Sequence, residues 1–273
     1  MTKRQYRRLR KKIKKLLPKF ILLSFCALFL FFTIKSFINK ASSNQKNRIR
    51  VTKESLKDNK IYKDVTNTEP SSDKLLTFSN DYSNKLPELK KITVCIDAGH
   101  GGDDVGAQSE TGKYEKEDTL LLCRLLKSYL ESVGVNVIMT RNSDKAIPLD
   151  KRKEIAENSN ANLVISIHRN FYDGTEDVNG IEAWINSSVP NDALAISQNI
   201  LRAIEYKIPG INNRGVKYGS MDNPNENYAL NKVSMPSLIL EAGFMSSHYD
   251  NDIFYKHMED YALSIARGII NSY

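Results

Sequence analysis

The chain has little cysteine: Cys26, Cys95 and Cys123 are the only three among 273 residues. Each lies in an apolar stretch, where thiols are usually buried and unpaired. We therefore expect Cys95 and Cys123 to stay free rather than to form a disulfide. Cys26 follows Ser24 and Phe25 and lacks the context of a lipid-attachment site. Cysteine thus predicts neither a disulfide nor a lipid anchor here.

A basic surface for nucleic acid is also lacking. The formal net charge is +8, yet residues 1–19 alone contain ten Lys or Arg and no acid, so the remainder carries −2 (8 − 10). No later stretch interleaves basic with aromatic residues. Binding to phosphates needs clustered cations on the folded part. We therefore expect no nucleic-acid partner.

Long apolar runs are scarce, and the one that stands out, residues 20–34, carries no charge. A spanning helix needs roughly 17–25 residues, and apolar neighbours extend the run to residue 38 if the flanking lysines reach the interfaces. A basic flank before an apolar run is typical of an export signal, and no small-x-small cleavage site follows. We expect an uncleaved signal-anchor at residues 20–38 of a single-pass cell-membrane protein. Residues 1–19 would then lie in the cytoplasm and the rest outside; a cleaved, secreted form is the alternative.

Residues 39–90 are rich in Lys, Asn, Ser, Asp and Thr, and their apolar residues follow no sustained period. This composition predicts a disordered spacer. From residue 91 onward, strand-like and helix-like runs alternate, without an internal repeat or a second module. The alternation predicts one α/β domain at residues 91–273, with a mostly parallel central sheet and helices on both faces.

Polar side chains follow three of the predicted strands. ITVCID ends at Asp97 with His100 close behind, His168 follows NLVISI, and Glu241 follows SLIL. In open α/β sheets, ligands bind outside the carboxyl ends of the strands, so we expect these groups to converge. Glu241 lies among apolar residues, where a carboxylate is costly unless it meets a charge or a metal. Two imidazoles and a carboxylate suit a catalytic zinc site with one position open for water.

A carboxylate ligand should come from the segment after the first strand, where Glu115, Glu117 and Asp118 open a predicted helix. We choose Glu115 as the ligand. The alternative for all three acids is stabilisation of the helix N-terminus, worth about 0.3–1 kcal/mol each. The remaining histidines, His248 and His257, are expected to be ordinary hydrogen-bonded residues.

The motifs DAGHGG, YEKEDTLLL, VIMTR, VISIHRN, GIEAWI and MPSLILEAGF occur in one order over the globular part. The ordered set resembles the zinc-dependent N-acetylmuramoyl-L-alanine amidases of the amidase-3 type. The resemblance implies a Zn²⁺ ion held by His100, Glu115 and His168, with Glu241 as the catalytic residue. It also matches Asn170 to a position that the family usually fills with Asn, which we assign to substrate binding.

The sequence departs from the family at two places. Arg169 stands where a small residue is common, and we expect it to put a cation beside the site. Residues 218–235 are more polar than the family pattern, and we expect them to line the groove.

The resemblance implies hydrolysis of the amide between N-acetylmuramic acid and L-alanine of peptidoglycan. A metal would activate the attacking water, and Glu241 would act as general acid and base. The anchor would hold the domain outside the membrane, facing the cell wall, and targeting would fall to a regulatory partner protein or to the tether. A non-catalytic protein that binds peptidoglycan or a partner is one alternative, and cleavage of another amide in the stem is a second.

Overall fold

The computed structural model describes residues 69–174, 177–223 and 226–273. The predicted cytoplasmic segment, the predicted signal-anchor and most of the predicted spacer lie outside these ranges. Across the described ranges, no helix is both long enough and apolar enough to cross a membrane.

Helices and strands alternate through most of the chain, as the sequence predicts. The helices are α1 Ser72–Asp81, α2 Leu86–Leu89, α3 Glu115–Ser132, α4 Leu149–Asn158, α5 Asn191–Lys207 and α6 His248–Ile270. The strands are β1 Thr93–Ala98, β2 Asn136–Met139, β3 Leu163–Asn170, β4 Ile181–Ile185, β5 Asn213–Tyr218 and β6 Ser237–Phe244. Two short 3₁₀ turns lie at Ser83–Lys85 and Ala229–Asn231.

The six strands form one mixed sheet in the order β2–β1–β3–β6–β4–β5. The first four are parallel, β4 pairs antiparallel with β6, and β5 runs parallel to β4. The prediction of a mostly parallel sheet is confirmed. The antiparallel pairing of β4 with β6 makes the sheet a mixed one. Only residues 171–180 join β3 to β4, and those of them that the structure describes form no helix. A parallel return needs a crossover of a dozen or more residues, so β4 comes back in the opposite direction.

Side chains alternate between two faces of the sheet, and each face has its own apolar cluster. Val94 and Ile96 of β1 join the larger cluster, which packs beneath α3, α5 and α6. Cys95 faces the other way and joins a smaller cluster with Ala156 of α4 and Leu230 of the second 3₁₀ turn. Helices therefore cover both faces, as predicted, and the apolar cluster on the face under α4 is the smaller one. Cys95 and Cys123 are both buried and free, as predicted.

The prediction of a disordered spacer is wrong for its last part, because α1 and α2 lie within residues 72–89. Phe78 is fully buried, and its ring lies 5.1 Å from the rings of both Tyr82 and Tyr129. Lys74 forms ion pairs with the carboxylates of Glu259 and Asp260 on α6. One apolar stripe on an otherwise polar helix suffices for order when the domain offers a partner surface.

Candidate metal centre

Three predicted ligands meet at the carboxyl edge of the sheet. His100 Nε2 lies 3.1 Å from Glu115 Oε2, and His168 Nδ1 lies 3.0 Å from Glu115 Oε1. One ligand atom from each residue falls within 4.8 Å of the other two. Within the described ranges, this is the group of histidine, cysteine and acidic residues whose geometry can hold a metal ion.

Each ligand is delivered by a different element. His100 follows β1, His168 lies near the end of β3, and Glu115 is the first residue of α3. The two Glu115 carboxylate oxygens also accept hydrogen bonds from the backbone N–H groups of Ala107 and Arg169, both at 2.9 Å. These bonds orient the carboxylate toward the imidazoles before any ion binds.

Two glycines allow the backbone to approach the ligands. A Cβ atom on Gly99 would lie 2.4 Å from the His168 ring. A Cβ atom on Gly106, whose φ is +67°, would lie 2.7 Å from Glu115 Oε2 and from the His100 ring. Because real side chains do not tolerate such distances, glycine is required at both positions.

Two buried arginines hold the loop that carries His100. Arg152 of α4 donates to Asp97 Oδ1 at 2.7 Å and to the carbonyl oxygens of Ala98 and His100 at 2.6 and 2.5 Å. Arg141 donates to the carbonyl oxygen of Ala98 at 2.8 Å. Asp97 is thus neutralised by Arg152 and lies outside the ligand group. The sequence reasoning missed both arginines, although Arg141 belongs to the VIMTR motif.

The electrostatics of the group favour a cation at its centre. Burial opposes ionisation of Glu115, but hydrogen bonds from His100 and His168 outweigh it and hold its pKa well below the usual range. Burial likewise opposes protonation of His168, but Glu115 outweighs it and raises the pKa to about 9. His100 Nδ1 lies 2.9 Å from Asp104 Oδ1, so Nε2 is the nitrogen turned toward the centre. An outer carboxylate on the other ring nitrogen is typical of a metal-binding histidine.

Glu241 lies beside this group without binding it. In the sheet it is the register partner of His168, and it is buried. Among the described residues, no group donates a hydrogen bond to its Oε2. Burial raises the pKa of Glu241 to about 7, with the Glu115 and Glu182 carboxylates adding to the effect and His168 opposing it. A buried carboxylate that titrates near neutrality is suited to accept and return a proton.

Comparison with known proteins identifies the family. Residues 94–271 match the family Amidase_3, described as N-acetylmuramoyl-L-alanine amidase. The chain belongs to this family. Probable cell wall amidase LytH of Staphylococcus saprophyticus is 29% identical over 195 residues, which are 69% of this chain and 61% of that protein. The chain therefore matches less than two thirds of the length of that relative.

Solved structures of amidases share the fold. N-acetylmuramoyl-L-alanine amidase AmiC2 of Nostoc punctiforme matches with a TM-score of 0.60 and 36% identity, over 66% of this chain and 96% of that chain. The CwlD amidase of Clostridioides difficile, solved in complex with the GerS lipoprotein, matches with a TM-score of 0.60 and 29% identity. That match covers 66% of this chain and 98% of that chain.

In this amidase domain, Asn170 is buried next to the centre and both ends of its amide have partners. Its Nδ2 donates to Glu182 Oε1 at 3.0 Å, and its Oδ1 accepts from the backbone N–H of Phe171 at 2.7 Å. Glu182 also accepts from Trp184 Nε1 and Arg214 Nε. These contacts make Asn170 a support for the Glu182 carboxylate, and its role in substrate binding stays a prediction.

The expectation that Arg169 places a cation beside the site is wrong. Its side chain is fully buried on the opposite face of the sheet, where Nη1 donates to Asp118 Oδ2 and Nη2 to Asn251 Oδ1, both at 2.7 Å. Its guanidinium carbon also lies 4.1 Å from the centroid of the Phe254 ring. Neighbouring residues of a strand point to opposite faces, and His168 already occupies the site face.

A cleft of about 510 Å³ opens from the metal centre toward α4; we call it the helix-side cleft. The start of α4 forms one wall and the second 3₁₀ turn the other. The expectation that residues 218–235 line the groove is confirmed for part of that segment. The helix-side cleft is lined by Asp97, His100, Gly101, Asp104, Ala146, Ile147, Pro148, Leu149, Arg152, Ser166, His168, Tyr228, Ala229, Leu230, Ile239 and Glu241.

The other two histidines lie outside the site, as predicted. His248 Nε2 pairs with Glu110 Oε2 at 2.5 Å, and His257 Nδ1 lies 3.2 Å from Asp260 Oδ2.

Proposed function

We propose that this chain is a zinc-dependent peptidoglycan hydrolase that cleaves the amide between N-acetylmuramic acid and L-alanine of the stem peptide. The observation that carries the proposal is the placement of a buried Glu241, whose Oε2 has no hydrogen-bond donor among the described residues, beside three converging ligand atoms in a chain of the amidase family. Two imidazoles and one carboxylate form a donor set that Zn²⁺ accepts in catalytic sites.

His100, Glu115 and His168 would hold the ion. When bound, Zn²⁺ supplies a positive charge that polarises the substrate carbonyl and lowers the pKa of water. Glu241 Oε2 takes the proton of the attacking water and returns it to the nitrogen of the departing L-alanine. Among the described residues Oε2 has no hydrogen-bond donor to displace, so it is free for this exchange.

The location of the enzyme is part of the proposal. A basic segment at residues 1–19 and an apolar run at residues 20–34 support an anchor in the cell membrane, with the domain outside, facing the cell wall. A related amidase, CwlD, was solved with the lipoprotein GerS. That complex supports a regulatory protein as a further partner of this chain.

One experiment tests substrate, bond and metal together. The purified chain is assayed for zinc content, and its products from peptidoglycan are analysed by mass spectrometry. We expect one Zn²⁺ per chain and products with a free muramic carboxylate and an intact stem. Cuts within the stem would assign the enzyme to another amide. Full metal loading with no cut would favour the non-catalytic alternative, and a folded chain that takes up no Zn²⁺ would contradict the metal assignment.

A further inference from the structure

A second depression meets the metal centre from the side away from α4. We call it the open groove, because it is shallower and more exposed to solvent than the helix-side cleft. Its volume is about 530 Å³. Both depressions share His100, His168 and Glu241, so that the metal centre lies between them. A substrate bound at the centre can therefore extend into both.

Among the described residues, the side chains that the open groove adds to the centre are uncharged. Gly106, Ala107, Gln108, Asn170, Phe171 and Met221 line it. Arg169 contributes backbone only, since its side chain is fully buried. Phe171 and Met221 are each 46% exposed, so both present apolar surface to a ligand in the open groove. Such a surface suits a neutral, amphipathic ligand better than a charged one.

The two parts of the substrate differ in shape. A muramoyl residue within a glycan strand continues in both directions, whereas the stem peptide branches from it at the amide to be cut. A strand that continues both ways needs a binding surface that is open at both ends. The helix-side cleft is walled by the start of α4 and the second 3₁₀ turn, and it suits a branch that enters from one side. The open groove is the surface on which a continuous strand can lie.

We propose that the open groove binds the glycan strand, and that Phe171 and Met221 contact the apolar faces of the neutral N-acetylglucosamine rings next to the reacting muramoyl residue. The stem peptide then lies in the helix-side cleft. N-acetylglucosamine is uncharged, with apolar ring faces and polar edges, and the exposed amide of Gln108 is placed to meet such an edge. This inference rests on the proposed function, because it takes the muramoyl amide as the bond that is cut.

The test compares two soluble substrates with the zinc-loaded full chain. One is a single muramoyl residue carrying its stem, and the other carries the same stem on an inner sugar of a glycan tetrasaccharide. We expect a higher kcat/KM for the tetrasaccharide. In Phe171→Ala the ratio of the two values should fall roughly 3- to 10-fold, as loss of one aromatic contact implies. Phe171→Tyr should keep the ratio, because it keeps the ring.

A matched control is Tyr206→Ala, because Tyr206 lies on α5, remote from both depressions, and is 93% exposed. It should leave the ratio at the wild-type value. A ratio in Phe171→Ala equal to that of the wild type would overturn the proposal. So would an equal loss on both substrates, which would assign Phe171 to the centre itself.

A binding measurement separates this inference from the proposed function. Chito-oligosaccharides, which are neutral chains of N-acetylglucosamine, are titrated into the chain, with no hydrolysis required. We expect binding that Phe171→Ala and Met221→Ala weaken and Tyr206→Ala leaves unchanged. If the wild type cuts neither substrate but binds glycan through Phe171, the proposed function fails and the open groove still binds sugar. If chito-oligosaccharides do not bind, the glycan assignment is wrong, whatever the enzyme cuts.

Discussion

At the scale of single residues, the site depends on one carboxylate oxygen, Glu241 Oε2, that has no hydrogen-bond donor among the described residues. Its neighbour Glu115 is held by two histidines and two backbone N–H groups. Glu241 receives no such bonds at Oε2 from the described residues. An unpaired buried carboxylate costs stability, and it is retained where catalysis uses it.

Replacing Glu241 separates catalysis from metal binding. Glu241→Gln keeps the size of the side chain but removes the proton acceptor, so we expect kcat to fall about 10²–10⁴-fold. Zinc content, measured by atomic absorption, should equal that of the wild type, because Glu241 is outside the ligand group. Glu115→Gln is the contrasting variant, and it should lose zinc as well as activity. Wild-type turnover in Glu241→Gln would remove Glu241 from the mechanism.

Metal binding should displace a proton from the ligand group. In the metal-free protein the pKa of His168 is raised to about 9 by Glu115, against the opposing effect of burial. A raised histidine pKa stabilises the fold fully below the unfolded-state pKa of about 6.5, and this contribution is lost as pH rises through 9. Zn²⁺ needs the neutral imidazole, so its binding at pH 7 should release protons. Calorimetric titration in buffers of different ionisation enthalpy counts them, and a count of zero at pH 7 would contradict this protonation state.

Arg169 offers a test of stability that is independent of catalysis. Arg169→Met leaves the Asp118 carboxylate buried without its cation, and we expect a loss of about 3–5 kcal/mol in the free energy of unfolding. Arg267→Met removes an exposed arginine from its ion pair with Asp81 and should cost at most about 1 kcal/mol. Urea denaturation of both variants gives the comparison. Equal losses would mean that burial of the ion pair between Arg169 and Asp118 does not increase its contribution to stability.

At the scale of elements, α1 binds the domain although its composition resembles that of a spacer. The segment is polar, and Phe78 is its one fully buried side chain. Phe78 reaches the rings of Tyr82 and Tyr129 and joins the larger apolar cluster. The ion pairs of Lys74 with α6 add to the contact.

Truncating Phe78 should detach or destabilise α1. We expect Phe78→Ala to lower the free energy of unfolding by about 3–5 kcal/mol, the usual cost of removing a buried phenylalanine. Leu76→Ala changes an exposed leucine of the same helix and should stay within about 0.5 kcal/mol of the wild type. Chemical denaturation followed by circular dichroism measures both. If Phe78→Ala matches Leu76→Ala, then α1 does not contribute to the fold.

At the scale of the whole molecule, we propose that catalysis and placement belong to different parts of the chain. The described domain contains the ligand group, Glu241 and both depressions. The composition of residues 1–68 supports the proposed attachment and reach.

Shortening the chain should therefore separate the two functions. We expect residues 69–273 to bind Zn²⁺ and to hydrolyse soluble fragments with the kcat/KM of the full chain, but to leave the membrane fraction. Residues 91–273 lack α1 and should unfold at lower urea concentration. Fractionation, steady-state kinetics and denaturation check the three statements. A membrane-bound 69–273 chain would contradict the anchor at residues 20–38.

Local sequence pattern predicted much of the fold and the candidate site. Apolar runs that end in polar side chains marked β1, β3 and β6 together with His100, His168 and Glu241. Glu115 could be chosen because it opens the helix that follows the first strand. The side of the sheet to which the Arg169 side chain points could also have been predicted, because side chains alternate along a strand and His168 points to the side of the site. The hydrogen bonds from Arg141 and Arg152 to the loop that carries His100 could not be predicted, because each joins residues more than forty positions apart in the chain.

The sequence by itself determined the order of helices and strands, the free cysteines and the residues that form the candidate centre. These follow from periods of two and 3.6 residues and from the family motifs, which are local in the chain. Only the tertiary structure decided that α1 is ordered, that β4 runs antiparallel, and that Glu241 has no hydrogen-bond donor at Oε2 among the described residues. Each of these depends on which surfaces meet, and contacts between distant segments are not encoded in any single stretch of sequence.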